Sequence, residues 1–162
     1  MSKIAPCLWF DGSMAEEAAS FYTSIFPNSR VDNVFRSPAD TPSGPAGSVL
    51  TVDFTLEGQQ FIGLNGGPDF KFNEAISFSI DCQDQAEVDR YWEALVQGGG
   101  EYSVCGWLKD RFGVSWQVVP RQLNEYLQGP DREGARRAME AMLQMTKLDV
   151  EKLREAYEGV PA

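Results

Sequence analysis

The sequence predicts an α+β fold: two successive β-α-β-β-β modules followed by a C-terminal helical tail. Three observations predict it. The order strand, helix, strands occurs twice; each helix opens on a capping-box signature, Ser13 with Glu16 and Asp84 with Glu87; and the segment from Gln122 onward has helical spacing only. The 162 residues most simply form one domain, with module one at about 1–67, module two at about 72–120 and the tail at about 121–159.

Taken in order, Ile4 to Phe10 is a short apolar run ended by Asp11-Gly12, which predicts a strand and a turn. Met14, Ala18, Phe21, Tyr22 and Ile25 then share one helical face until Pro27 stops the helix. Arg30 to Arg36 reads as a strand, and the Pro, Gly, Ser and Ala of 38–48 read as a loop. Val49 to Leu56 alternates, Glu57-Gly58 turns the chain, and Gln60 to Asn65 completes the first module.

Asn65-Gly66-Gly67-Pro68 separates the modules, and Ala75 to Asp81 alternates as the first strand of the second. Val88, Tyr91, Trp92, Leu95 and Val96 form the apolar face of its helix, which Gly98-Gly99-Gly100 ends. Tyr102 to Lys109 and Val114 to Val119 are expected to pair as a hairpin through Asp110-Arg111-Phe112-Gly113, with a further short strand near Glu101. In the tail, Asp131 leads a helix carrying Ala135, Ala138, Met139, Met142 and Leu143, and Val150, Leu153 and Tyr157 mark another. Stripes of Met and Ala are packing surfaces, here read as covering a sheet edge or a dimer contact.

Composition removes several mechanisms. The chain has no histidine, so no imidazole base, catalytic triad or histidine-ligated metal can be built. Its net charge of −10, with no basic run, disfavours nucleic acid and anionic membranes as partners. Three scattered cysteines, Cys7, Cys82 and Cys105, suit a reduced cytoplasm rather than a disulfide framework, and no apolar run is long enough for a membrane span.

Strand alternation divides the residues between two faces. Leu8, Phe10, Val52, Phe54, Leu56, Ile62, Leu64, Ile76, Phe78, Ile80, Trp116 and Val118 form the face expected beneath the helices. The mixed face offers Cys7, Trp9, Asp53, Asn65, Ser77 and Gln117, with Cys105 and Trp107 if their strand keeps register. Small and hydroxylated residues beside two indoles can line a cavity; a partly solvated sheet face is the alternative. Asp53 suits a base or a ligand-cation partner, with a solvated edge carboxylate the equal alternative. Cysteines without a cationic neighbour read as inert, and Lys109, Asp110 and Arg111 read as solvated turn charges.

The segments Cys7-Leu-Trp-Phe-Asp-Gly, Leu64-Asn-Gly-Gly-Pro-Asp-Phe, Cys105-Gly-Trp-Leu-Lys-Asp and Gly113-Val-Ser-Trp-Gln-Val-Val-Pro resemble the PhnB-like branch of the glyoxalase, bleomycin-resistance and dioxygenase (vicinal oxygen chelate) superfamily. The resemblance implies paired βαβββ modules forming a curled mixed sheet around a cavity, and a homodimer. Metal enzymes of the superfamily take ligands from the first and last strands of each module, positions that fall at or near Cys7, Gly63, Ala75 and Gln117. None is a histidine or a carboxylate, so no metal and no cofactor are expected.

The resulting expectation is a metal-independent small-molecule-binding protein with a site at Cys7, Trp9, Asp53, Asn65, Ser77, Trp107 and Gln117. A superfamily lyase, isomerase or oxygenase with an atypical or absent metal site is an alternative. A methyltransferase-like protein, after the 3-demethylubiquinone-9 3-methyltransferase label that such sequences carry, is another.

Overall fold

The computed structural model describes residues 2–161 and divides into two compact units, one up to Phe72 and the other from Asn73. The first contains β1 (Cys7–Phe10), α1 (Met14–Ile25), β2 (Arg30–Arg36), β3 (Val49–Leu56) and β4 (Gln59–Asn65). Its sheet runs β1-β4-β3-β2, with β1 parallel to β4 and the other pairs antiparallel. Ala15, Ala18, Ala19 and Tyr22 of α1 are fully buried over Leu8, Phe10, Val52, Phe54 and Phe61. The small alanines bring the helix close to the sheet; a Cβ at Gly63 would stand 3.2 Å from that of Ala15.

One turn sets the faces of this sheet. Glu57 and Gly58 both have positive φ (48° and 81°), the geometry of a two-residue hairpin loop, and they pair Leu56 with Gln59. Phe54 therefore faces Phe61, and the rings stack at 5.4 Å. The strand starts one residue earlier than expected, so Phe61, Gly63 and Asn65 turn to the helix side while Ile62 and Leu64 move to the open face. The expected faces of Asn65, Ile62 and Leu64 are thereby reversed, because the side-chain period of a strand is two.

The second unit contains β5 (Ser77–Cys82), α2 (Gln85–Leu95), β6 (Glu101–Tyr102), β7 (Trp107–Lys109), β8 (Ser115–Pro120), α3 (Arg121–Leu127), α4 (Arg132–Leu143) and α5 (Val150–Glu158). Its sheet order, β5-β8-β7-β6 with β5 parallel to β8, repeats that of the first unit. Val88, Tyr91, Trp92 and Leu95 bury against Leu108, Trp116 and Val118, and Asp84 caps α2 by accepting from Glu87 N at 2.9 Å. The short strand expected near Glu101 is β6.

Three expectations are corrected here. Ala75 and Ile76 precede β5, which pairs with β8 only from Ser77, and Ile76 is exposed. The run from Tyr102 to Lys109 is broken after β6, because Cys105 and Gly106 adopt positive φ (58° and 82°) and donate to Met145 O and Thr146 O, each at 2.8 Å. Asp110 is buried rather than solvated: Oδ1 accepts from Phe112 N (2.9 Å) and Val114 N (3.0 Å), and Oδ2 accepts from Trp116 Nε1 (2.9 Å).

The tail has its own apolar centre, Leu123, Leu148 and Leu153, packed with Val119 and Met142. The Gln85 side chain ties it to α2, donating to Leu148 O at 3.1 Å and accepting from Val150 N at 2.7 Å. No helix among the described residues is long and apolar enough to cross a membrane.

Candidate functional site

The open face of the first sheet is organised in rows across its strands. Pairing register aligns Cys7, Ile62, Asp53 and Asn33 in one row, and Trp9, Leu64, Thr51 and Phe35 in the next. The first row is mainly polar and the second mainly apolar. Beside them lies a cavity of about 740 Å³ lined by the segment Ser2 to Ala5 together with Asp32, Asn33, Asp53, Gln60 and Ile62. That segment is anchored where Ser2 N donates to Gln60 Oε1 at 2.6 Å and Pro6 O accepts from Ile62 N at 2.9 Å.

The two carboxylates in this cavity differ. Asp32 accepts from Thr55 Oγ1 at 2.6 Å and pairs with Arg30 Nε at 2.7 Å. The side chain of Asp53, half-buried in the middle of its row, has no hydrogen bond or ion pair among the described residues. Desolvation of the sulfur, reinforced by the negative charge of Asp53, raises the pKa of the Cys7 thiol above its ordinary value. Burial, with a further contribution from Glu87, pushes the Cys82 thiol to about 12. Neither sulfur is an activated nucleophile.

In the second unit the open face gathers Ser77, Trp107 and Gln117, with Gln117 Nε2 donating to Ser77 Oγ at 2.9 Å. Next to Trp107 is a smaller pocket of about 160 Å³, bounded by the Lys109–Glu74 ion pair and by Ser115. The Ser115 hydroxyl is buried without a hydrogen-bond partner among the described residues.

Cys7, Trp9 and Asp53 thus share one open face, and Ser77, Trp107 and Gln117 share another. Asn65 joins neither. It lies on the helix side, 4% exposed, where Oδ1 accepts from Ala15 N at 2.9 Å and Nδ2 donates to Val49 O at 3.0 Å. Asn65 caps α1 from a distant strand; Ser13 occupies the N-cap position but makes no side-chain cap bond. Trp9 is also partly committed to structure. Its Nε1 donates to Gly67 O at 2.8 Å, Phe70 meets its ring edge-on at 4.9 Å, and a Cβ at Gly66 would fall within its indole.

Sequence reasoning missed Asn33, Gln60 and the Ser2–Ala5 segment. The register shift between Val31 and Asn33 breaks the alternation of β2 and hides Asn33. Gln60 required the correct start of β4. The Ser2–Ala5 segment has no periodicity to read.

The superfamily resemblance implies a hard metal, and the methyltransferase label implies S-adenosylmethionine. A hard metal does not fit: Gly63 lies beneath Ala15, Ala75 is outside the strand, Gln117 is bonded to Ser77, and the Cys7 thiol holds its proton. Among the described residues no cluster of three or more His, Cys, Asp or Glu is placed to hold an ion. S-adenosylmethionine does not fit the glycine turns either. The Ala15 amide in the first turn of α1 is taken by Asn65, and the space over Gly66 is taken by Trp9.

The repeated βαβββ topology and its motif residues define a PhnB-like protein of the vicinal oxygen chelate class. The family profile described as 3-demethylubiquinone-9 3-methyltransferase matches residues 2–119, and the chain belongs to that family. The PhnB protein from Bacillus cereus is 34% identical, with 74% of this chain and 99% of that chain covered and a TM-score of 0.65. Protein PA1353 from Pseudomonas aeruginosa has the same fold at 21% identity, covering 74% and 98% of the two chains, with a TM-score of 0.60. No curated protein matches.

Proposed function

We propose that the protein binds a small organic ligand, without a metal, on the open face of its first sheet. The observation that carries this reading is the cavity of about 740 Å³, which lies within the roughly 300–1,000 Å³ typical of ligand pockets. Its walls combine the apolar Ile62 with a few polar groups, Asp53, Asn33 and Gln60, that can fix an orientation. The raised thiol of Cys7 supports binding rather than nucleophilic chemistry there. Ser77, Trp107 and Gln117 are proposed as ligand contacts of the second open face.

A homodimer in the cytoplasm is part of the same proposal. β2 is an edge strand exposing Val31, Val34 and Phe35, and all three cysteines are free thiols. Light scattering tests the dimer. Untagged protein assayed for metal, then screened by thermal shift against neutral, acidic and basic fragments, tests the function. The expected result is metal-free protein stabilised by fragments whose resonance shifts map to Asp53 and Ile62. Stoichiometric metal that resists mild chelation, or no fragment mapping to this face, sinks the reading. Calorimetry with S-adenosylmethionine tests methyl transfer, and no heat of binding is expected.

A further inference from the structure

We propose that the cavity of the first unit selects an organic cation, with a protonated amine seated on Asp53. This rests on the binding role proposed above and names the ligand class. Asp53 and Asp32 line the same cavity, yet only Asp32 is held by its own protein, through Thr55 and Arg30. The Asp53 side chain is half-buried without a partner among the described residues, between Ile62 and Asn33 in its row. Burial of an unpaired carboxylate is unfavourable, and a cation brought by the ligand offsets it.

The surrounding groups favour the same charge. Asn33 presents an amide, Ile62 presents a hydrocarbon surface, and Cys7 on the same row keeps its proton. Arg30 pairs with Asp32 through Nε and does not line the cavity. Among the described residues lining the cavity, Lys3 is the cation that competes, and it makes no ion pair with Asp53. The chain's net charge of −10 attracts cations and repels anions at long range. An amine with an apolar body therefore matches the site: the ammonium on Asp53, the body on Ile62.

Three probes of one shape decide the matter: benzylamine, benzyl alcohol and benzoate, titrated into the full chain and into Asp53→Asn, with binding followed by amide resonances of the β3 and β4 strands. Benzylamine is expected to bind about tenfold more tightly than benzyl alcohol, as a charge-assisted hydrogen bond exceeds a neutral one. Benzoate is expected to bind weakest, and Asp53→Asn to erase the preference for the amine. A urea midpoint for Asp53→Asn that is unchanged or raised, expected because Asp53 has no partner among the described residues to lose and a neutral amide costs less to bury, ties that erasure to recognition rather than to folding. Equal binding of amine and alcohol, a preference for benzoate, or a preference that survives Asp53→Asn overturns the cation assignment and leaves the binding reading standing. Absence of binding by all three at tens of millimolar overturns both.

Discussion

Asn65→Ala is expected to destabilise the first unit far more than Ser13→Ala, although the sequence places the helix cap at Ser13. The Asn65 amide satisfies two backbone groups, the buried Ala15 N–H at 2.9 Å and Val49 O at 3.0 Å. Truncation leaves the N–H unpaired in a dry site, at about 1–3 kcal/mol, and the partly buried carbonyl adds about 1 kcal/mol. The expected total is about 2–4 kcal/mol. Ser13 makes no side-chain cap bond, so its truncation is expected to fall within about 0.5 kcal/mol. Asn65→Asp keeps an acceptor for Ala15 and loses the donor to Val49, which puts it between the two. Urea unfolding with the slope held under test measures these differences, and amide exchange assigns them: Asn65→Ala should speed exchange in the first turn of α1. If Ser13→Ala costs as much as Asn65→Ala, or if Asn65→Ala is neutral, the long-range cap is wrong.

Three further outcomes are expected. Gly66→Ala places a methyl group within the Trp9 indole and should lower stability by about 1–3 kcal/mol while shifting tryptophan emission; a native spectrum and midpoint would refute the packing role of that glycine. Leu148→Ala should cost about 2–5 kcal/mol and raise amide exchange across α5 and at Cys105 and Gly106, since Leu148 is fully buried in the tail's apolar cluster and packs against Gly106; protection unchanged at that loop would separate the tail from it. Cys82 should resist alkylation at pH 8, and its contribution to stability should be complete below pH 9 and decline as pH rises toward 12. The folded thiol holds its proton more tightly than the unfolded one, so alkali favours unfolding. Urea midpoints of wild type and Cys82→Ala that respond identically from pH 9 upward would contradict this.

Much of the architecture was legible because it depends on local chemistry. The capping box at Asp84 acts as read, with its carboxylate on Glu87 N, and the apolar helical spacing of Val88, Tyr91, Trp92 and Leu95 is the buried face of α2. Alternation divided β1, β3 and β8 correctly, placing Asp53 and Gln117 on the open faces. The family's motif residues turn out to be largely architectural. The glycines after Asn65 accommodate Trp9, and Asp110 organises the hairpin that leads to Trp116.

By itself, then, the sequence determined the repeated βαβββ order, the positions of the main helices, the absence of histidine chemistry and the glycine-marked turns, all of which follow from neighbouring residues and their intrinsic preferences. Only the tertiary structure decided register and partnership. Asn65 is a ligand candidate or a helix cap according to which side of the sheet it faces, and one turn residue settles that side because strand faces alternate with period two. Asp53 and Asp32 look equivalent as letters. They differ because a bulge in β2 brings Asp32 to Thr55 and Arg30, while the Asp53 side chain has no partner among the described residues.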